Sequence, residues 1–177
     1  NKVIRSIHNA NDAGLDVKLN TVVIRGWNDD EIVDFALFAR DNGFTVRFIE
    51  FMPLDGTGIW KHDLVFSKKE MIERINLNLG EIVKLHNSDN QPEPAMLYSF
   101  IDGKGILGFI PSITEPFCGN CDRARITSDG RLLTCLFENP GRDLKGIMRS
   151  GATDEVIGQY IIDSMSNKPE GIIKMIK

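Results

Sequence analysis

The chain has 177 residues, a net charge of −4, 42% hydrophobic and 26% charged residues. This is ordinary globular composition, and it excludes collagen-like, disordered and disulfide-dense secreted classes. The acidic balance disfavours a general nucleic-acid coating role, so any anion binding has to be local. No apolar run approaches the ~18 residues of a membrane span, and the opening Asn1-Lys2-Val3-Ile4-Arg5 is too short an apolar stretch for a signal peptide. Neither nucleic acid nor membrane is expected as a partner.

Val3, Ile4, Ile7, Ala10 and Ala13 recur at helical spacing before a Gly14 stop, which predicts a first helix. Val17–Ile24 is rich in β-branched residues and reads as a strand. Asn28 with Glu31 suggests a capping box, followed by a helical face of Ile32, Phe35, Ala36 and Ala39 that ends at Gly43. Thr45–Phe51 reads as a second buried strand. Helix, strand, helix, strand is the alternation of a parallel sheet with helical crossovers, whose ligands sit at the carboxyl ends of the strands. A loop with Pro53, Gly56 and Gly58 follows. Ser67 and Glu70 then form a second capping box, ahead of Met71, Ile72, Ile75 and Leu79.

The polar, proline-bearing stretch 86–94 is the best domain boundary in the chain. Beyond it, Ala95–Ile101 and Gly105–Ile110 predict two strands around Asp102-Gly103-Lys104. Ala124–Thr127 and Arg131–Cys135 predict a hairpin around Asp129-Gly130. Helices are expected at 143–149 and 154–165, capped by Asp143 and Thr153. The division expected is 1–93 and 94–177.

The only cysteines are Cys118, Cys121 and Cys135. An odd number within so short a stretch is a poor disulfide framework; C-x2-C spacing points to a metal or redox site in a reducing, cytoplasmic compartment. The returning hairpin strand brings Cys135 toward the loop that Pro116 opens. Three soft thiolates suit an iron–sulfur cluster or zinc. Structural zinc needs a fourth ligand, for which His8, His62 and His86 are the only histidines and none is near in sequence. An iron–sulfur cubane held by three thiolates leaves one iron open to a ligand. Inert buried cysteines, a zinc-stabilised binding module and a small electron-transfer domain are the competing readings.

Arg123 and Arg125 follow directly. Two apart on a strand, they share a face and suit phosphate or a carboxylate-rich ligand, the competing reading being a solvated strand face paired with Asp or Glu. A two-residue Asp129-Gly130 turn would set Cys135 opposite Ala124 and put the arginines on the other face of the ribbon. In the earlier strands, Lys18 and Asn20 share one face, as do Arg47, Ile49 and Phe51, with Glu50 on the other. Lys18 and Arg47 are anomalous in buried strands; they are either strand-edge charges in water or the lining of a cationic cavity. Met52, at the strand end, is core filler or a ligand contact.

The stretch Phe117–Phe137, FCGNCDRARITSDGRLLTCLF, resembles the C-terminal cluster motif of the MoaA family, the GTP 3′,8-cyclases of molybdenum cofactor biosynthesis. Val17–Val22 and Arg47–Met52 resemble further segments of that family in order. The resemblance implies an α/β partial TIM barrel of C-terminal βα units, followed by a small α+β domain carrying an iron–sulfur cluster. It implies a lyase that uses S-adenosylmethionine for radical chemistry and converts GTP to 3′,8-cyclo-7,8-dihydro-GTP. Carried over, Cys118, Cys121 and Cys135 match the ligands of a [4Fe-4S] cluster. Arg123, Ala124, Arg125 and Lys18 match GTP contacts, Met52 an S-adenosylmethionine contact and Arg47 a basic residue of the same cavity. No catalytic residue is assigned. A different radical S-adenosylmethionine protein with an auxiliary cluster is the rival enzyme class.

The family's radical-generating C-x3-C-x2-C motif is absent, as is its Gly-Gly tail. The expectation is therefore the C-terminal half of the enzyme, inactive alone. A second [4Fe-4S] cluster, S-adenosylmethionine, an unnamed electron donor and the N-terminal half would be its partners. The exposed seams of an incomplete barrel predict self-association, for which a homodimer is one form.

Overall fold

The computed structural model describes residues 2–54, 58–85, 94–169 and 171–172. Two compact units separate by contact, Asn1–Glu115 and Pro116–Lys177.

In the first unit, α1 spans Lys2–Asp12 and carries no buried residue. The parallel pair β1 (Lys18–Val23) and β2 (Thr45–Glu50) flanks α2 (Ile32–Asn42) in sequence. Gly43 closes α2 with φ +72, and its N–H donates to the Ala39 carbonyl. That end matches the glycine stop of the sequence. The start of α2 does not. Asn28 makes no cap hydrogen bond there. Its Oδ1 accepts from the Ile24 N–H (2.8 Å) and its Nδ2 donates to the Val22 carbonyl (2.9 Å). The amide closes the turn after β1, and a 3₁₀ turn at Asp29–Glu31 leads into the helix.

The capping box at Ser67 is complete, with Glu70 reciprocating, and it starts α3 (Lys68–Leu79). A short strand that the sequence reading did not anticipate, β3 (Ile82–Lys84), follows. The expected linker at 86–94 lies outside the described residues apart from Pro94. Strands β4 (Met96–Phe100) and β5 (Ile106–Ile110) then form the anticipated antiparallel hairpin. Rather than opening a separate layer, β5 pairs in parallel with β2, giving one mixed sheet in the order β1-β2-β5-β4-β3.

Alternation along β2 decides what each face does. Val46 and Phe48 point into a core with Ile32, Ala36 and Ala39 of α2, Met71 and Ile75 of α3, and Leu107 and Phe109 of β5. Phe48 stacks on Phe109 at 5.6 Å between centroids. Glu50 lies on this same buried face at 1% exposure. Its carboxylate accepts from the N–H groups of Lys68 (3.0 Å), Ile113 (2.8 Å) and Thr114 (2.8 Å) and from the Thr114 hydroxyl (2.6 Å). A buried carboxylate is tolerated because four donors replace its water. It fastens the end of β2 to the start of α3 and to the segment after β5.

In the second unit, a 3₁₀ turn at Cys118–Asn120 precedes a three-stranded antiparallel sheet of β6 (Arg125–Ile126), β7 (Arg131–Leu133) and β8 (Arg142–Asp143). The edge strand β8 carried no signal in the sequence. Helices α4 (Leu144–Arg149) and α5 (Asp154–Ser166) follow as expected. Asp143 caps α4 by accepting from the Gly146 N–H. Thr153 holds the cap position of α5 without a side-chain cap bond. No helix among the described residues is long and apolar enough to cross a membrane.

Candidate functional site

The hairpin β6–β7 sets the geometry of the cysteine region. Its register pairs Arg125 with Leu133 and Ile126 with Leu132. Thr127 therefore lies opposite Arg131, and three residues, Ser128-Asp129-Gly130, make the loop. The Thr127 N–H donates to the Arg131 carbonyl (2.9 Å), and the Arg131 N–H donates to the Thr127 hydroxyl (2.9 Å). Gly130 has φ +87, the left-handed residue that a three-residue hairpin loop demands. A two-residue turn would have set Ala124 opposite Cys135. The longer loop moves the count by one, and the ladder ends at Arg125 opposite Leu133, short of both Arg123 and Cys135.

All three cysteines are half-buried free thiols. The Cys121 N–H donates to the Cys118 carbonyl (3.3 Å), closing the 3₁₀ turn around Gly119. Cys135 sits one residue beyond Thr134, which is buried. The Glu138 carboxylate accepts from the Thr134 N–H (2.6 Å) and hydroxyl (2.9 Å), while the Glu138 N–H donates to the Cys135 carbonyl (3.2 Å). Burial raises the Glu138 pKa; the Thr134 and Cys135 hydrogen bonds and Arg142 outweigh it and hold the carboxyl below its ordinary range. Nothing in the spacing pointed to Glu138, although Thr134 and Glu138 sit at a reach that brackets Cys135.

Cys121 also meets a cation that the sequence did not mark. Lys168, two residues past α5, places its ammonium 2.7 Å from the Cys121 carbonyl, 2.9 Å from the Arg123 carbonyl and 3.4 Å from Cys121 Sγ. Burial pushes the Cys121 thiol up; hydrogen bonds from Arg123 and then Lys168 prevail and bring its pKa below the usual thiol value. Gly171 closes the same region. A Cβ there would stand 2.7 Å from Cys118 Sγ and 3.9 Å from Cys135 Sγ.

Arg123, Ala124 and Arg125 are all exposed. Only Arg125 belongs to β6; Arg123 lies in the irregular segment before it, its guanidinium over the Phe117 ring at 4.8 Å.

In the first unit the sheet register places Asn20, Arg47 and Gly108 side by side. Lys18 shares that face, opposite the helices, and pairs with Asp16 at 3.0 Å. The Arg47 chain crosses Gly108, where a Cβ would approach Arg47 Cγ to 2.9 Å. Met52 follows β2 and is half-buried. The histidines are engaged by aromatic rings. His8 lies 5.5 Å from Phe44, and His62 meets Trp60 edge-on at 6.4 Å. His86 lies outside the described residues.

Among the described residues no group of three or more His, Cys, Asp or Glu is arranged to hold a metal ion. The donor set nevertheless fits an iron–sulfur cluster by its chemistry. Cys118 and Cys121 bracket the 3₁₀ turn ahead of the β6–β7 hairpin and Cys135 follows β7; three such thiols are soft ligands, and a polynuclear cluster takes one thiolate per iron, so they need not converge on a single ion.

Residues 44–173 match the family described as Molybdenum Cofactor Synthesis C. The GTP 3′,8-cyclase of Thermodesulfovibrio yellowstonii is 42% identical over 176 residues, 99% of this chain and 54% of that protein. GTP 3′,8-cyclase 3 of Mycobacterium tuberculosis is 42% identical over 161 residues, 90% of this chain and 42% of that one. Molybdenum cofactor biosynthesis protein 1 of Homo sapiens is 35% identical over 191 aligned positions, 98% of this chain and 30% of that one. The chain thus spans about half the length, or less, of these curated relatives.

Proposed function

Because the chain belongs to the Molybdenum Cofactor Synthesis C family, we propose that it is the C-terminal part of a GTP 3′,8-cyclase and supplies that enzyme's nucleotide site. Cys118, Cys121 and Cys135 would hold a [4Fe-4S] cluster through three thiolates, and the cluster would supply an open iron able to act as a Lewis acid toward a guanine nitrogen or oxygen. Arg123 and Arg125 would neutralise the triphosphate as planar, permanently charged forks.

The observation that carries this reading is the hairpin register. The three-residue loop pairs Arg125 with Leu133, two residues before Cys135, which supports placing the arginine and cysteine segments at the same end of the hairpin. Both arginines are solvent-exposed and follow Cys121 within four residues, so phosphate binding needs no prior unfolding of the site.

In the whole enzyme the sheet of the first unit would be part of a TIM barrel, with its parallel strands β1, β2 and β5 covered on one face by α2 and α3. Lys18 and Arg47, sharing the other face, would form a cationic patch for GTP, and Met52 would contact S-adenosylmethionine. A second cluster and the rest of the barrel would come from the other half of the enzyme. The reaction would be the lyase conversion of GTP to 3′,8-cyclo-7,8-dihydro-GTP, in the cytoplasm.

Equilibrium dialysis of GTP against the anaerobically reconstituted chain tests the site. The wild-type chain is expected to bind GTP, and joint Arg123→Ala and Arg125→Ala substitution is expected to weaken binding by about tenfold or more, two charge-assisted contacts being lost. Equal binding by the double variant, or none by the loaded wild type, contradicts the proposal.

A further inference from the structure

Lys168 spends its whole donor capacity on the cysteine loop. An ammonium has three N–H donors and no acceptor, and three acceptors surround this one: the Cys121 carbonyl, the Arg123 carbonyl and Cys121 Sγ. Two of the three bonds are to backbone, so the contact fixes the course of the chain from Cys121 to Arg123 rather than one rotamer. The anchor is itself held. The Lys168 N–H donates to the Met165 carbonyl (3.2 Å), and the Asn167 N–H donates to the Asp163 carbonyl (3.1 Å), so Lys168 continues directly from the end of α5. A surface lysine that merely folds back finds one partner and stays hydrated. This one is matched to three groups of a single loop.

We propose that Lys168 is a positioning residue of the cysteine site. It fastens the Cys121–Arg123 segment to the end of α5, so that the Cys121 ligand and the Arg123 guanidinium keep fixed places, and it sets a permanent positive charge beside one cluster sulfur. The proposal rests on the cluster reading above for its second part only. Outer-shell groups of this kind orient metal ligands and tune the metal, and hydrogen bonds to cluster sulfurs raise reduction potential because they favour the more negative, reduced state.

The test compares wild type, Lys168→Met and Lys168→Arg in the full chain. In the metal-free chain, hydrogen exchange at the Cys121–Arg123 amides is expected to rise several-fold in Lys168→Met, with exchange in β1, β2 and β5 unchanged. In the reconstituted chain, Lys168→Met is expected to lose iron several-fold faster and to titrate at a lower midpoint potential. Lys168→Arg, which keeps the charge, is expected to recover most of the potential. Unchanged exchange in the metal-free Lys168→Met chain overturns the fastening role whatever the metal content. Raised exchange with an unchanged potential and iron half-life overturns the role toward the cluster. A wild-type chain that takes up no cluster, with exchange still raised in Lys168→Met, contradicts the cluster reading and leaves the fastening intact.

Discussion

Glu138 and Lys168 hold the two ends of the cysteine motif by different means, and each can be tested alone. Glu138 fixes the turn at Thr134-Cys135 as a carboxylate, and its folded pKa lies below the ordinary range. The unfolded chain therefore takes up this proton at a higher pH than the folded one. The stability contributed is present above the usual glutamate range and is lost as pH falls through the depressed folded value. Urea midpoints taken at about pH 6 and about pH 3 should fall further for wild type than for Glu138→Gln, which has no such proton to bind. Equal losses would remove Glu138 from the account. Gly171 makes a second residue-scale case. Gly171→Ala puts a Cβ against Cys118 Sγ at a φ of +67, so the variant should lose most of its iron on desalting while β1 to β5 keep their exchange protection. Full iron retention would show that the close approach of the Gly171 backbone to Cys118 Sγ is not needed.

Two capping motifs look alike in the sequence and differ in the fold, which shows where elements were legible and where not. Ser67 with Glu70 forms a reciprocal cap because the chain before it is extended, with Ser67 at ψ 155. Asn28 with Glu31 has the same spacing, but the turn after β1 needs partners for Ile24 N–H and the Val22 carbonyl, and the asparagine amide serves both. Local spacing cannot see that demand. Ser67→Ala should cost about 1 kcal/mol in urea denaturation, and a loss near zero would deny the cap. In the hairpin, the residues 129–130 were correctly placed in the loop, but its length decides how β6 and β7 are registered. Only Gly130 at φ +87 and the register reveal that. Gly130→Ala should cost at least roughly 1–2 kcal/mol from the left-handed conformation, before the contact with the Lys145 side chain is added; a neutral variant would contradict the three-residue loop. The short strands β3 and β8 went unread because two or three residues carry no periodicity.

At the scale of the chain, the helix–strand alternation of the first 52 residues was legible because apolar periodicity survives without context. The placement of β5 beside β2 was not, because a parallel neighbour leaves no local mark. The thiol motif was the most informative stretch, since three cysteines and two arginines at that spacing do not arise from core packing. The residues that hold the motif, Glu138, Lys168 and Gly171, were invisible because their partners are brought near by folding. With three cysteines in 177 residues, all given to one cluster under the proposed function, the chain incubated with S-adenosylmethionine and dithionite is expected to release no 5′-deoxyadenosine; release would contradict that assignment. The central claim is tested most directly by iron, acid-labile sulfide and zinc in the anaerobically purified chain. The account predicts about four iron and about four sulfide per chain, as one [4Fe-4S] cluster requires. Stoichiometric zinc without sulfide would contradict it and identify the three cysteines as part of a structural zinc site instead.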